Sequence, residues 1–262
     1  MKTLLPVCAL LATSAVVDVT DGIARVDVLP GWQTSDGHQM AGLRITLAPG
    51  WKTYWRAPGD AGIPPQFSFA GSGNVASASV MWPVPDVFDQ NGMRSIGYHD
   101  GVVIPLNVTP DGNGPMRLSG QINIGVCEEI CVPVNLEFDA LLPAGGGRDP
   151  AIVAAMINRP LSAEEAGVRS ATCRMVPSDN GISVTVALTL PKSGNAEVVV
   201  IETDDPEIWV SEADVTRTGQ TLTATSDLVH VTQGAFALDR SALRFTVLGD
   251  TQAVDIHGCT AG

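Results

Sequence analysis

Two cysteines separated by three residues are the part of this sequence whose side chains could do chemistry. Cys127 and Cys131 lie in the segment GVCEEICVPV, with two glutamates and an isoleucine between them. The flanking stretches INIGV and VPVNLEF alternate apolar and polar residues, as β-strands do, and Pro133 opposes a helix. A hairpin with a three-residue turn would place the cysteines opposite each other, with Cα atoms roughly 4.5–5.5 Å apart, a distance that a disulfide can bridge.

This cysteine pair is compatible with three kinds of site. It could be a structural disulfide, a reversible redox pair or, through two thiolates, a site for a soft metal ion such as copper(I). Negative charge on Glu128 and Glu129 disfavours a thiolate and therefore raises the pKa of a neighbouring thiol. Such a pair suits a slow, protected electron carrier better than a strong oxidant. The spacing by itself leaves these alternatives open.

The amino terminus has the features of a secretory signal peptide. Lys2 is the only charge before an apolar run from Leu4 to Val17, and that run is too short to span a membrane. We predict a signal peptide over residues 1–15, extending to about residue 20, which removes Cys8 on cleavage. No later stretch is long and apolar enough for a membrane span, so we expect none after signal removal.

Export to an oxidising compartment predicts disulfides for the other four cysteines. Four cysteines allow three pairings. Because each half of the chain contains two of them, we expect Cys127 to pair with Cys131 and Cys173 with Cys259. We interpret the second pair as a structural disulfide. The formal net charge of −13 argues against a nucleic-acid partner.

The chain beyond the signal peptide has the pattern of an all-β protein. Short alternating stretches such as QMAGLRITL, GVVIPLNV, GISVTVALT and ALRFTVL are separated by Gly, Pro, Asn and Asp, with no β-α-β rhythm. We predict two immunoglobulin-like β-sandwich domains, over residues 22–144 and 169–262. A linker with short helices is predicted over 145–168, where Asp149-Pro150 and SAEE resemble helix starts.

Three segments of the first predicted domain resemble the amino-terminal periplasmic domain of the DsbD family of thiol–disulfide reductases. They are GWKTYWRAPGDAGIPPQF at 50–67, WPVPDVFDQNGMRSIGYHDGVVIPLNV at 82–108, and the cysteine pair. The two-domain layout is similar to the ScsB branch, which is linked to copper tolerance. DsbD proper has five residues between its cysteines, whereas this chain has three.

The resemblance implies roles for particular residues. Cys131 matches the cysteine that forms a mixed disulfide, and Cys127 is then its resolving partner. A cap loop with an aromatic residue shields the pair in the family, which makes Phe88 the cap candidate and Tyr98 a supporting residue. The aromatic residues Trp51, Tyr54, Trp55 and Trp82 could form an exposed docking face, but in a β-sandwich we expect at least half of them to lie in the core.

The resemblance also implies a function. We expect periplasmic thiol–disulfide exchange through Cys127 and Cys131, without a bound cofactor or metal. The expected partner is a thioredoxin-like periplasmic protein or a membrane electron carrier of the DsbD/ScsB type, because the chain ends at Gly262 without those domains. The alternative is a binding module, for copper(I) or for another protein, in which the pair acts as ligands or as a structural disulfide.

Overall fold

The computed structural model describes residues 22–60, 62–90 and 93–262, and the predicted signal peptide with Cys8 lies outside them. Its first part contains β1 (Ala24–Gln33), β2 (Gln39–Leu47), β3 (Lys52–Tyr54), β4 (Gln66–Ser68), β5 (Val75–Val80), β6 (Asp86–Gln90), β7 (Met93–His99), β8 (Gly101–Pro110), β9 (Met116–Cys127) and β10 (Cys131–Leu142). After α1 (Pro150–Ile157), the second part contains β11 (Leu161–Ser162), β12 (Ser170–Ser178), β13 (Gly181–Thr189), β14 (Val198–Glu202), β15 (Ile208–Val210), β16 (Asp214–Thr218), β17 (Thr221–His230), β18 (Arg244–Leu248), β19 (Ala253–His257) and β20 (Thr260–Ala261).

The strands of the first part form a sandwich of two sheets. One sheet has the order β1-β2-β8-β5, and the other has the order β10-β9-β3-β7-β6, with β4 beside β9. Along β10, Val134, Leu136 and Phe138 are buried in the core while the residues between them are exposed. This alternation is that of a strand covered on one face. Both cysteines belong to the opposite set of positions and therefore lie on the outer face of their sheet.

The helix α1 begins where the sequence predicts it. The Asp149 carboxylate accepts hydrogen bonds from the backbone N–H groups of Ala151, at 2.8 Å, and Ile152, at 3.3 Å, which is the geometry of an N-cap. Ile152 is fully buried and packs with Leu29 and Met40. The helix therefore covers the outer face of β1 and β2, which explains why β2 is buried on both faces.

The second predicted linker helix does not form. The backbone N–H of Ser162 donates to Glu165 Oε2 at 2.8 Å, and the N–H of Glu165 donates to Ser162 Oγ at 3.2 Å, so the capping box itself is present. The chain then turns at Gly167, whose φ of 67° is left-handed and ends the turn before a helix can develop. The preceding β11 pairs in parallel with β19, so the second sandwich begins before the predicted boundary at residue 169.

The second part is also a sandwich of two sheets. Their strand orders are β11-β19-β18-β14 and β15-β17-β13-β12-β20, with β16 beside β17. Val184 and Val186 of β13 and Phe245 and Val247 of β18 belong to its core. The prediction of an all-β fold with two sandwiches is confirmed. Within the described ranges, no helix reaches the length and hydropathy of a membrane span.

The two sandwiches are in contact at the end of β3. Trp55, which directly follows β3 and is fully buried, lies in a cluster with Leu248 and Ala253 of the second sandwich. The next residue, Arg56, donates two hydrogen bonds to the Glu202 carboxylate, at 2.9 and 3.0 Å. The contact between the sandwiches therefore fixes the strand that lies beside β9.

Candidate functional site: the cysteine hairpin

The two cysteines face each other across a hairpin of β9 and β10. Cys131 is the register partner of Cys127, and the two are joined by a disulfide with a Cα–Cα distance of 4.1 Å. The turn between them leaves Ile130 75% exposed. This is the arrangement that the three-residue spacing predicts.

The two cysteines differ in their exposure to solvent. Cys127 is 1% exposed, whereas Cys131, on the edge strand of its sheet, is classed among the exposed residues. Cys127 is therefore shielded from solvent, and Cys131 is the exposed residue of the pair.

Tyr54 covers the pair from the neighbouring strand. Its ring lies against Gly125, where an added Cβ would come within 3.0 Å of Tyr54 Cδ2 and 2.7 Å of Ile63 Cβ. A side chain at position 125 would therefore displace the ring. Because glycine stands there, the ring extends along the outer face of the sheet to the sulfurs and buries Cys127.

The Tyr54 hydroxyl contacts both sulfurs. It lies 2.8 Å from Cys127 Sγ and 3.2 Å from Cys131 Sγ. Disulfide sulfurs carry no hydrogen, so the hydroxyl is the donor and its single proton is shared between them. Tyr54 is only 3% exposed, and this burial raises the pKa of its hydroxyl, which keeps the donor protonated. Sequence reasoning did not identify Tyr54 as a site residue.

Lys52 lies next to Cys127 on the same face of the sheet. It is the register partner of Cys127 on β9 and of His99 on β7. Its side chain is largely buried, with the residue 8% exposed, and its Nζ lies 5.3 Å from the centroid of the Phe88 ring. Lys52 is also a site residue that sequence reasoning missed.

The cap candidate Phe88 lies on β6, and two strands, β3 and β7, separate it from Cys127 on β9. Its half-buried ring contacts the ring of His99, with centroids 4.4 Å apart. It reaches the cysteine pair through Lys52, its other ring contact. The structure thus places Phe88 at the border of the site, beside the neighbour of Cys127.

Tyr98 lies on the opposite face of the same sheet. It directly precedes His99 on β7, and successive side chains of a strand project to opposite faces of the sheet. It is 6% exposed, and its hydroxyl donates to the carbonyl of Pro83 at 2.9 Å. Its burial raises the pKa of the hydroxyl. Tyr98 therefore has no place among the sulfurs, and it holds the segment that leads into β6.

The second disulfide lies far from this hairpin, in the second sandwich. Cys173 and Cys259 are joined with a Cα–Cα distance of 5.8 Å, next to the pairing of β12 with β20. Cys173 is 1% exposed and belongs to the core. In the part of the chain that the structure describes, no group of three or more His, Cys, Asp or Glu side chains is arranged to hold a metal ion.

The fold and the site together define an immunoglobulin-like β-sandwich with a disulfide pair on neighbouring strands. Residues 25–143 match the family model of the amino-terminal domain of the thiol:disulfide interchange protein DsbD. The first sandwich is thus similar to the amino-terminal domain of DsbD, as the sequence motifs predict.

A solved structure extends the similarity to the second sandwich. The N-terminal periplasmic domain of ScsB from Proteus mirabilis matches with a TM-score of 0.68 and 22% identity, over 95% of this chain and 97% of that chain. At this identity the match shows a common fold for both sandwiches. No curated protein sequence matches the chain.

Proposed function

We propose that this protein exchanges thiols and disulfides with a partner protein in the periplasm, through Cys127 and Cys131. The observation that supports this most directly is the unequal exposure of the two cysteines, in a domain that matches the thiol:disulfide interchange family model. An exchange site needs this asymmetry, because it directs attack to a single atom.

The reaction consists of two displacements. A partner thiolate attacks Cys131 Sγ, a bond forms between these sulfurs, and the bond between Cys131 and Cys127 breaks. Cys127 leaves with the electron pair as a thiolate. The partner's second thiolate then attacks the partner's own sulfur in the mixed disulfide and releases Cys131 as a thiolate. The partner loses two electrons, which the Cys127–Cys131 pair gains, and protonation of the thiolates completes the balance.

Tyr54 has a defined task in the first displacement. Negative charge develops on the Cys127 sulfur, which is buried and inaccessible to water, and an unsolvated thiolate is unfavourable. The hydroxyl at 2.8 Å already points its proton at this sulfur. Its hydrogen bond therefore strengthens as the charge forms, since hydrogen bonds to charged acceptors exceed those to neutral ones.

The periplasm and a thioredoxin-like partner are part of this proposal. The family is named for thiol:disulfide interchange, and the matched ScsB structure is described as a periplasmic domain. A thioredoxin-like protein supplies two neighbouring thiols, which the second displacement requires. The exposed Ile130 beside Cys131 offers an apolar contact for such a partner.

The reduction potential of the pair tests the proposal. The protein without its signal peptide is equilibrated in dithiothreitol or glutathione buffers, and the redox state of the pair is determined by alkylation and mass spectrometry. We expect a potential above about −250 mV, among exchange-active dithiols. A potential below roughly −300 mV would identify a structural disulfide and contradict the proposal.

Trapping of the mixed disulfide tests which sulfur is attacked. Cys127→Ser and Cys131→Ser variants are mixed with a thioredoxin whose attacking cysteine is activated with 5-thio-2-nitrobenzoate. We expect rapid formation of the mixed disulfide with Cys127→Ser, in which Cys131 remains, and slow formation with Cys131→Ser. Equal rates for the two variants would overturn the assignment of Cys131.

A further inference from the structure

Lys52 is a buried lysine in register with the reactive pair. Cys131, Cys127, Lys52 and His99 form one row across β10, β9, β3 and β7. Opposed residues of an antiparallel ladder project to the same face, with Cα atoms roughly 4.5–5.5 Å apart. Lysine is rarely buried, yet Lys52 is only 8% exposed. The row therefore makes a lysine the register neighbour of Cys127, whose sulfur leaves in the exchange reaction.

The surroundings of Cys127 would otherwise oppose a thiolate. The sulfur is shielded from water, which disfavours its charged form. Glu128 and Glu129 follow it in the chain and act in the same direction. Tyr54 contributes a hydrogen bond but no charge, and His99 is an exposed neighbour one strand further away. Lys52 is the cation that the sheet register aligns with Cys127.

We infer that Lys52 is a supporting residue of the exchange reaction, whose ammonium group stabilises the Cys127 thiolate as it leaves Cys131. This inference rests on the proposed function. The side chain is held on the outer face of the sheet by the Phe88 ring, 5.3 Å from Nζ, and that ring is in turn packed on His99. The cap candidate thereby limits the exposure of the ammonium group to water.

The titration of Cys127 tests the inference directly. In a Cys131→Ser background of the protein without its predicted signal peptide, and hence without Cys8, Cys127 is a free thiol while Cys173 and Cys259 remain joined, so thiolate absorbance at 240 nm reports Cys127 alone. The sequence contains two tyrosines, and burial raises the pKa of both hydroxyls. Tyrosinate absorbance therefore does not interfere in the pH range of the thiol titration. The variants are Lys52→Met, Lys52→Gln and Lys52→Arg. Lys192→Met is the control, since Lys192 is an exposed lysine of the second sandwich.

We expect Lys52→Met and Lys52→Gln to lower the thiolate-to-thiol ratio of Cys127 at a given pH about tenfold, which corresponds to a pKa about one unit higher. Lys52→Arg should restore most of the ratio, and Lys192→Met should leave it unchanged. A merely structural lysine would affect stability without this charge-dependent recovery. An unchanged ratio in either neutral variant with a native circular dichroism spectrum would overturn the inference.

This experiment involves no partner protein, so its failure and that of the proposed function are distinguishable. A Lys52-dependent pKa together with a potential below roughly −300 mV would overturn the exchange function and leave the charge effect standing. A Lys52-independent pKa together with efficient exchange would overturn only the role of Lys52.

Discussion

Substitution of Tyr54 by phenylalanine removes the hydroxyl that donates to both sulfurs. The ring remains and still fills the space above Gly125, so the packing around Cys127 should be preserved. A hydrogen bond to a charged acceptor contributes about 1.5–3 kcal/mol. Because the proton is shared between sulfurs at 2.8 and 3.2 Å, the lower limit applies. Water cannot replace the hydroxyl at a residue that is 3% exposed.

The loss of this hydrogen bond should change both the rate at which the disulfide is reduced and its reduction potential. A loss of about 1.4 kcal/mol of transition-state stabilisation would slow the reaction about tenfold. Because only part of the charge has developed there, we expect dithiothreitol to reduce Tyr54→Phe about three- to tenfold more slowly than the wild type. The reduction potential should become more negative by up to about 30 mV, since the reduced state loses more stabilisation than the oxidised state.

The assay is reduction by dithiothreitol, stopped with acid, followed by alkylation and mass spectrometry. Tyr98→Phe is the matched control, because it removes the other buried tyrosine hydroxyl, on the opposite face of the same sheet. That variant should lose about 1 kcal/mol of unfolding free energy with its bond to Pro83 and react within about twofold of the wild-type rate. An unchanged rate and potential for Tyr54→Phe would refute the proposed task of the hydroxyl, and a faster reaction would show that the hydroxyl only shields the sulfur.

Three further predictions concern the cap, the second disulfide and acid stability. Phe88→Ala should speed reduction of the pair, and more so for bulky reductants than for 2-mercaptoethanol, because it widens access; equal effects for both reagents would contradict the cap. The double variant Cys173→Ser, Cys259→Ser should lower the unfolding free energy in urea by about 4 kcal/mol while the exchange rate stays constant, and a loss of exchange would show that the disulfides are coupled. The pKa of Asp255 is lowered, because the hydrogen bonds and charge of Arg244 outweigh the opposing effect of burial. Its contribution to stability is therefore complete above a pH of about 4 and is lost as the pH falls through the depressed folded pKa; Asp255→Asn should flatten the decline of melting temperature in acid, and an equally steep decline would contradict this.

The parts of the site that could be predicted from the sequence are those that depend on neighbours in the chain. The strand pattern on both sides of the CEEIC segment and its three-residue turn predict the pairing of Cys127 with Cys131. The same holds for the cap of α1 by Asp149. The missing linker helix shows the limit of such local rules, because the capping box forms but Gly167 and the pairing of β11 with β19 end the turn.

Tyr54 and Lys52 could not be recognised in this way. Tyr54 lies 73 residues from Cys127 in the chain, and the contact exists only because β3 pairs with β9. No short-range pattern shows that pairing, and β3 is only three residues long, too short for a clear alternation. The glutamates of the turn are adjacent in sequence and therefore dominated the prediction for the thiols, whereas the lysine that opposes their effect comes from a distant segment.

The shortness of β3 gives the second sandwich a physical connection to the site. A strand of three residues has few ladder hydrogen bonds of its own, so its position depends on what holds its ends. Directly after Tyr54, Trp55 enters the cluster between the sandwiches and Arg56 binds Glu202. The residues that cover Cys127 and those that join the two sandwiches are thus consecutive in the chain, at the end of β3 and directly after it. The second sandwich therefore contributes to the chemistry at Cys127, because it holds in place the strand that carries Lys52 and Tyr54.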